Sequence, residues 1–110
     1  MGRGVSPGLV DGPARVVTCA SDADALLRGD VLVCRTTDPS WTPYFAIASA
    51  VVIEIGGPLS HGAIVARELG IPCVIAENAT REIRDGAHIR VDGNSGEIQV
   101  VAPLDVSPPA

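Results

Sequence analysis

Residues 51–76 read VVIEIGGPLSHGAIVARELGIPCVIA, and the fold is decided within them. Residues 51–55 are an apolar, β-branched run of strand type. Gly56, Gly57 and Pro58 break it. Ser60 has the chemistry of a helix N-cap and opens a helix that ends at Gly70, which suits the left-handed position just past a helix end. Residues 73–76 are a second short apolar run. A strand, a helix and a strand in such quick succession form a crossover unit, with parallel strands and a right-handed connection.

The same alternation extends upstream. Residues 30–34 (DVLVC) are a compact apolar strand, and residues 38–40 (DPS) a turn. Thr42-Pro43 predicts a helix start, because proline is tolerated at the first helical position, where its missing N–H is not needed. Tyr44, Ile47, Ala48 and Val51 fall at i, i+3, i+4 and i+7 and predict one apolar face, with Trp41 packing back on the first turn. The strand at 51–55 requires that helix to end by about Ala50. An earlier, brief helix is expected from Ser21, closed by Gly29, after a β-rich run at residues 14–18.

Downstream, residues 78–83 predict a short helix or turn. Ile89 and Val91 alternate with His88, Arg90 and Asp92 as in a half-buried strand; residues 92–96 (DGNSG) form a turn, and Ile98, Val100 and Val101 complete a hairpin. The middle of the chain implies parallel strands and its ends imply antiparallel ones. The expected architecture is therefore a layered α/β domain mixing both kinds of sheet. The turn-rich start reads as linker or entry strand, with linker assigned to residues 1–4; the domain is placed at residues 5–101, and residues 102–110, with Pro103, Pro108 and Pro109, form a tail.

Composition bounds the function. The chain has 110 residues, a single-domain length, and 46% hydrophobic residues, enough for a core. Its aromatics, Trp41, Tyr44 and Phe45, fall in one five-residue window, so the core must be built from Val, Ile, Leu and Ala. All eight basic residues are Arg, which excludes a Schiff-base lysine and a phosphate-loop lysine. A formal charge of −5 argues against general nucleic-acid binding. Cys19, Cys34 and Cys73 are widely spaced with no CxxC, so a zinc ribbon or thioredoxin-type site has no support, and buried reduced thiols are expected at Cys34 and Cys73. No run reaches the ~20 apolar residues of a membrane helix, and no signal-peptide pattern opens the chain. No membrane partner is expected, and a reducing cytoplasm is the expected compartment.

Chemistry concentrates at residues 56–68. A helix N-terminus presents unpaired N–H groups and a partial positive charge, a ready anion site. His61 stands there, preceded by glycines that allow another backbone or a phosphate to approach. That charge favours a neutral, nucleophilic ring nitrogen, and would stabilise a phosphoryl group carried on the ring by ~0.3–1 kcal/mol, or ~2 when partly buried. The plainer reading is a surface histidine at an ordinary strand–glycine–helix junction. A Ser–His triad is weaker, since Ser60 adjoins His61 and no GxSxG elbow exists. With His61 and His88 as the two histidines, a metal site is not expected. Arg67 is a candidate to neutralise a transferred phosphoryl group, against the alternative of a solvated or ion-paired arginine. Thr36 and Thr37 end the preceding strand, where α/β sheets line their ligand crevices, although Asp38 could be occupied by turn bonding alone.

The segment GGPLSHGAIVARELGIPCV, centred on His61, resembles the phosphohistidine signature of the PEP-utilising enzymes, a family that includes phosphoenolpyruvate synthase, pyruvate phosphate dikinase and rifampin phosphotransferase. The resemblance takes in residues 37–43, 78–80, 85–86 and 90–93, and spans roughly residues 5–101. It implies the swivelling β/β/α fold: three layers, with a parallel central sheet and a smaller antiparallel one. It implies that His61 is the phosphorylated residue; Gly56, Gly57, Ser60, Gly62, Arg67, Thr36 and Thr37 are the residues expected near the phosphate. It further implies a phosphocarrier, part of a phosphotransferase and not a complete enzyme. An ATP-grasp nucleotide-binding domain would load it, and an acceptor-binding domain would pass the group to pyruvate or to an antibiotic hydroxyl. ATP and magnesium would belong to those partners, with no cofactor bound here. The alternative is a non-catalytic interaction module that keeps the fold.

Overall fold

The computed structural model describes residues 2–17, 26–36, 42–56 and 60–102. Ten elements follow in order: β1 (Arg3–Ser6), β2 (Leu9–Val17), β3 (Val31–Cys34), α1 (Thr42–Ile47), β4 (Ala50–Ile53), α2 (His61–Leu69), β5 (Cys73–Ile75), α3 (Ala79–Glu82), β6 (His88–Asp92) and β7 (Glu97–Ala102). The helix expected from Ser21, the turn at 38–40 and Trp41 lie outside the described residues.

The strands form one curled sheet in the order β1-β5-β4-β3-β2-β6-β7. β2, β3, β4 and β5 are parallel, joined by crossovers that carry α1 and α2. β2 belongs to both halves of the sheet. Its residues 14–17 pair with β3, whereas residues 9–13 pair antiparallel with β6, which continues into the β6–β7 hairpin. The expected mixture of a parallel sheet with a smaller antiparallel one is therefore present.

The side-chain period of a strand produces the layers. In β3, Leu32 and Cys34 join a core with Phe45, Ala63 and Ala66 of the helices, while Val31 and Val33 join a second core with Ile89 and Val91 of β6. Val51 and Ile53 of β4 take the helix side, and Ala50 and Val52 the other. Both faces of β3 and β4 are covered, which is why these two strands read as unbroken apolar runs. Each such Val, Leu or Ile removed from water contributes about 1.5–3 kcal/mol.

Several boundaries differ from expectation. β4 runs Ala50–Ile53, not 51–55. Glu54 and Ile55 still donate from their amides to Cys34 O and Arg35 O, but the Glu54 side chain turns aside to Thr80. α1 buries Phe45 completely and leaves Tyr44 and Ile47 half-buried. The predicted stripe does face the core: Ala48 and Val51 are buried in the same cluster as Phe45, and Tyr44 and Ile47 pack against it, although Val51 enters that core from β4 because the helix stops at Ile47. At the N-terminus, Arg3 and Gly4, assigned to a linker by the sequence, pair with Ile75 and Val74 as the start of β1. A side chain on Gly4 would run into the Gly93 carbonyl of the β6–β7 turn, so glycine permits this edge strand to lie there.

Candidate functional site

The parallel strands end together, and the connections leaving β3, β4 and β5 meet at that edge. α2 starts there because the chain crosses over from the end of β4. Its ladder begins with the Ile64 amide donating to Ser60 O at 3.1 Å. Its inner face is Gly62, Ala63 and Ala66, all buried, and these small residues let the helix lie close on the sheet. It ends at Gly70 in the left-handed conformation (φ 74°), with the Gly70 amide donating to Arg67 O and the Ile71 amide to Ala66 O. This pair of bonds is the Schellman pattern expected for a glycine in that position.

His61 is the first residue of α2 and is half-buried. Its ring meets that of Phe45 edge-on, with centroids 6.3 Å apart and planes at 61°. Phe45 is fully buried, so one side of the imidazole rests on a rigid apolar wall. Ser60 occupies the N-cap position with φ −68° and ψ 158°, but its side chain makes no capping hydrogen bond. That corrects the expectation of a serine cap, and its position explains why: a Cβ built on Gly56 would lie 3.1 Å from Ser60 Oγ and 3.4 Å from its Cβ. The serine side chain packs on Gly56 instead of turning back over the helix end.

The structure thus brings Gly56, Ser60, His61 and Gly62 into one turn-and-helix unit. Thr36 is exposed at the end of the chain leaving β3. Thr37 and Gly57 lie outside the described residues. Arg67 donates from Nε to Val5 O at 2.7 Å, tying α2 to β1.

Three residues that the sequence did not single out for chemistry sit at the same strand edge. Glu54 Oε1 accepts from Thr80 Oγ1 at 2.6 Å and from the Thr80 amide at 3.0 Å. Glu54 Oε2 lies 3.4 Å from Arg35 Nε. These bonds, chiefly those from Thr80, hold the Glu54 carboxyl below the usual carboxylate range. The available signal was one acid inside an otherwise apolar strand run. A groove of about 1160 Å³ opens beside these residues, lined among others by Arg35, Glu54, Ile55, Gly56, Thr80 and Arg81.

Cys34 and Cys73 are buried and free, and burial pushes both thiols up to about 12. Cys19 lies outside the described residues. No group of three or more His, Cys, Asp or Glu able to hold a metal ion occurs among the described residues. Nor, among them, is any helix long and apolar enough to cross a membrane.

Residues 26–96 match the family described as PEP-utilising enzyme, mobile domain. The chain is 48% identical over 103 residues to a rifampicin phosphotransferase of Streptomyces sviceus, covering 93% of this chain and 12% of that protein. It is 48% identical over 101 residues to the rifampicin phosphotransferase of Bacillus subtilis, covering 91% of this chain and again 12% of the relative. The chain therefore spans about an eighth of these curated relatives, which are larger phosphotransferases with further domains in the same polypeptide. Among solved structures, the Enzyme I protein nEIt superposes with a TM-score of 0.62 at 32% identity, over 72% of this chain and 33% of that one. With the signature around His61, the two-faced parallel sheet and the match over most of its length, the chain belongs to the mobile-domain family of the PEP-utilising enzymes.

Proposed function

We propose that this domain is a phosphocarrier that relays a phosphoryl group on His61 from an ATP-binding domain to an acceptor-binding domain. The observation that carries the reading is the placement of His61: half-buried at the first residue of α2, backed by Phe45, and within the signature of a phosphotransferase family. In the loading step a ring nitrogen of His61 attacks the phosphorus of the donor. An N–P bond forms, the P–O bond to the leaving group breaks, and the leaving oxygen keeps the electron pair. In the unloading step the acceptor oxygen attacks phosphorus, the N–P bond breaks, and the acceptor proton is released.

The helix N-terminus complements the negative charge that the ring gains, with an effect of about 0.3–2 kcal/mol according to exposure. ATP and magnesium would be held by the partner domains. The relatives' names favour a drug of the rifampicin type as the acceptor, through a hydroxyl group. The cytoplasm, which holds ATP, is the proposed compartment.

The reading is tested by grafting this chain into Bacillus subtilis rifampicin phosphotransferase in place of its matching segment, then supplying ATP. Acid-labile phosphate should appear on the peptide containing His61, and rifampicin should discharge it. A graft that stays unlabelled, or a His61→Ala graft that labels equally well, would sink the carrier role and leave an interaction module as the better description.

A further inference from the structure

We propose that Glu54 is a positioning residue for His61, acting through the bonds it makes to Arg35 and Thr80 at the ends of the parallel strands. The inference rests on the reading of His61 as the phosphoryl acceptor.

Glu54 stands one residue beyond β4, and its side chain is only 13% exposed. A carboxylate taken this far out of water is costly unless its oxygens are hydrogen-bonded. Here Oε1 accepts both Thr80 donors and Oε2 faces Arg35. Arg35 is the residue after β3, and Thr80 lies in α3, just after β5. One side chain therefore ties together the chains leaving three adjacent strands. The backbone reinforces it: the Glu54 amide donates to Cys34 O at 2.8 Å, the Ile55 amide to Arg35 O at 2.7 Å, and the Ala76 amide to Ile53 O at 2.9 Å.

The consequence for His61 runs through Gly56. This glycine follows Ile55 directly and is seated between Ser60 and β5, with the position of a Cβ 3.1 Å from Ser60 Oγ and 3.6 Å from Ile75 Cδ1. Ser60 is the N-cap of α2 and precedes His61. Glu54 thus fixes the chain on one side of the helix start, as Phe45 fixes the ring on the other. Phosphoryl transfer depends on holding the nucleophile in line with the donor, so a small displacement costs rate without altering nucleotide binding elsewhere.

Two measurements test this. The chain has two histidines, so its ring Cε1–Hε1 NMR signals separate into one for His61 and one for His88, which serves as the internal control. Glu54→Gln and Thr80→Val should each move or broaden the His61 signal and leave that of His88 in place, and Thr80→Ser, which keeps the hydroxyl donor, should restore it. In the labelled graft, the first two variants should lower kcat about tenfold with KM for ATP unchanged, and Thr80→Ser should recover it. A His61 signal that does not move, both histidine signals moving together, or a labelled graft whose kcat is unaffected overturns the proposal. A graft whose parent is never labelled at His61 refutes the carrier reading instead, and the NMR comparison still decides whether Glu54 positions the ring.

Discussion

Phe45, wholly buried in α1, presents its ring edge-on to His61 at the start of α2, with 6.3 Å between centroids. The contact joins two consecutive crossover helices and orients a side chain that is itself only half-buried. Aromatic pairs in this geometry contribute about 0.5–1.5 kcal/mol beyond the area they bury.

Phe45→Ala should therefore do two things. Removing a fully buried ring leaves a cavity and costs about 3–5 kcal/mol, a large fraction of a small domain's stability. It should also free the His61 ring. Urea unfolding gives the first quantity, and the His61 ring signal the second. Phe45→Leu, which refills most of the volume, should lose less stability yet still lose the edge-on contact.

Gly70 ends α2 at φ 74°. A residue with a Cβ placed in that region costs about 1–2 kcal/mol. Gly70→Ala should lower the urea midpoint accordingly, while Gly70→Asn, better tolerated in the left-handed region, should recover part of the loss. Equal midpoints for the native and Ala chains would contradict the cap geometry.

Acid should destabilise the fold in a way that depends on Glu54. Its carboxyl is held below the usual range by the bonds from Thr80. The folded state thus favours the charged form, and this contribution is complete above the ordinary carboxylate range and is lost as pH falls through the lowered value. Asp92, which accepts the Asn94 and Ser95 amides in the hairpin turn, is lowered as well and acts in the same direction. Glu54→Gln should be less stable than the native chain at pH 7, and the gap should narrow by pH 3. Denaturant midpoints at the two pH values check the sign.

Cys34 and Cys73 should resist alkylation in the folded chain at pH 8. Both thiols are buried and pushed up to about 12, so very little thiolate is present and access is blocked. Iodoacetamide followed by peptide mass mapping should modify these two sites only under unfolding conditions. Rapid modification of either in the native chain would contradict its placement in the core.

Much of the fold and the key side chain of the site were legible because they depend on local chemistry. Residues 30–34 read as a compact apolar strand from their β-branched run, and Gly70 as a helix end; the structure has β3 at Val31–Cys34 and α2 closing at Gly70. His61 stood out because a glycine break and a helix start flank it. By contrast, β1 was read only as linker or entry strand: its pairing with β5 joins residues some seventy positions apart, and no local pattern encodes such a partner. Phe45 stood out in the sequence only as one of three aromatics in a five-residue window, and only the packing of α1 against α2 turned it toward His61. Glu54 looked like an interruption in an apolar run until the curl of the sheet set Thr80, 26 residues away, within 2.6 Å of it.

The sequence by itself determined the period of each element, the breaks between them and the histidine at a helix start, because propensity, capping and hydrophobic alternation act over a few residues. Tertiary structure alone decided where β2 passes from one half of the sheet to the other, which ring backs His61 and what Glu54 binds. Those outcomes depend on contacts between distant segments, which form only when burial of both faces of the parallel strands forces the layers together.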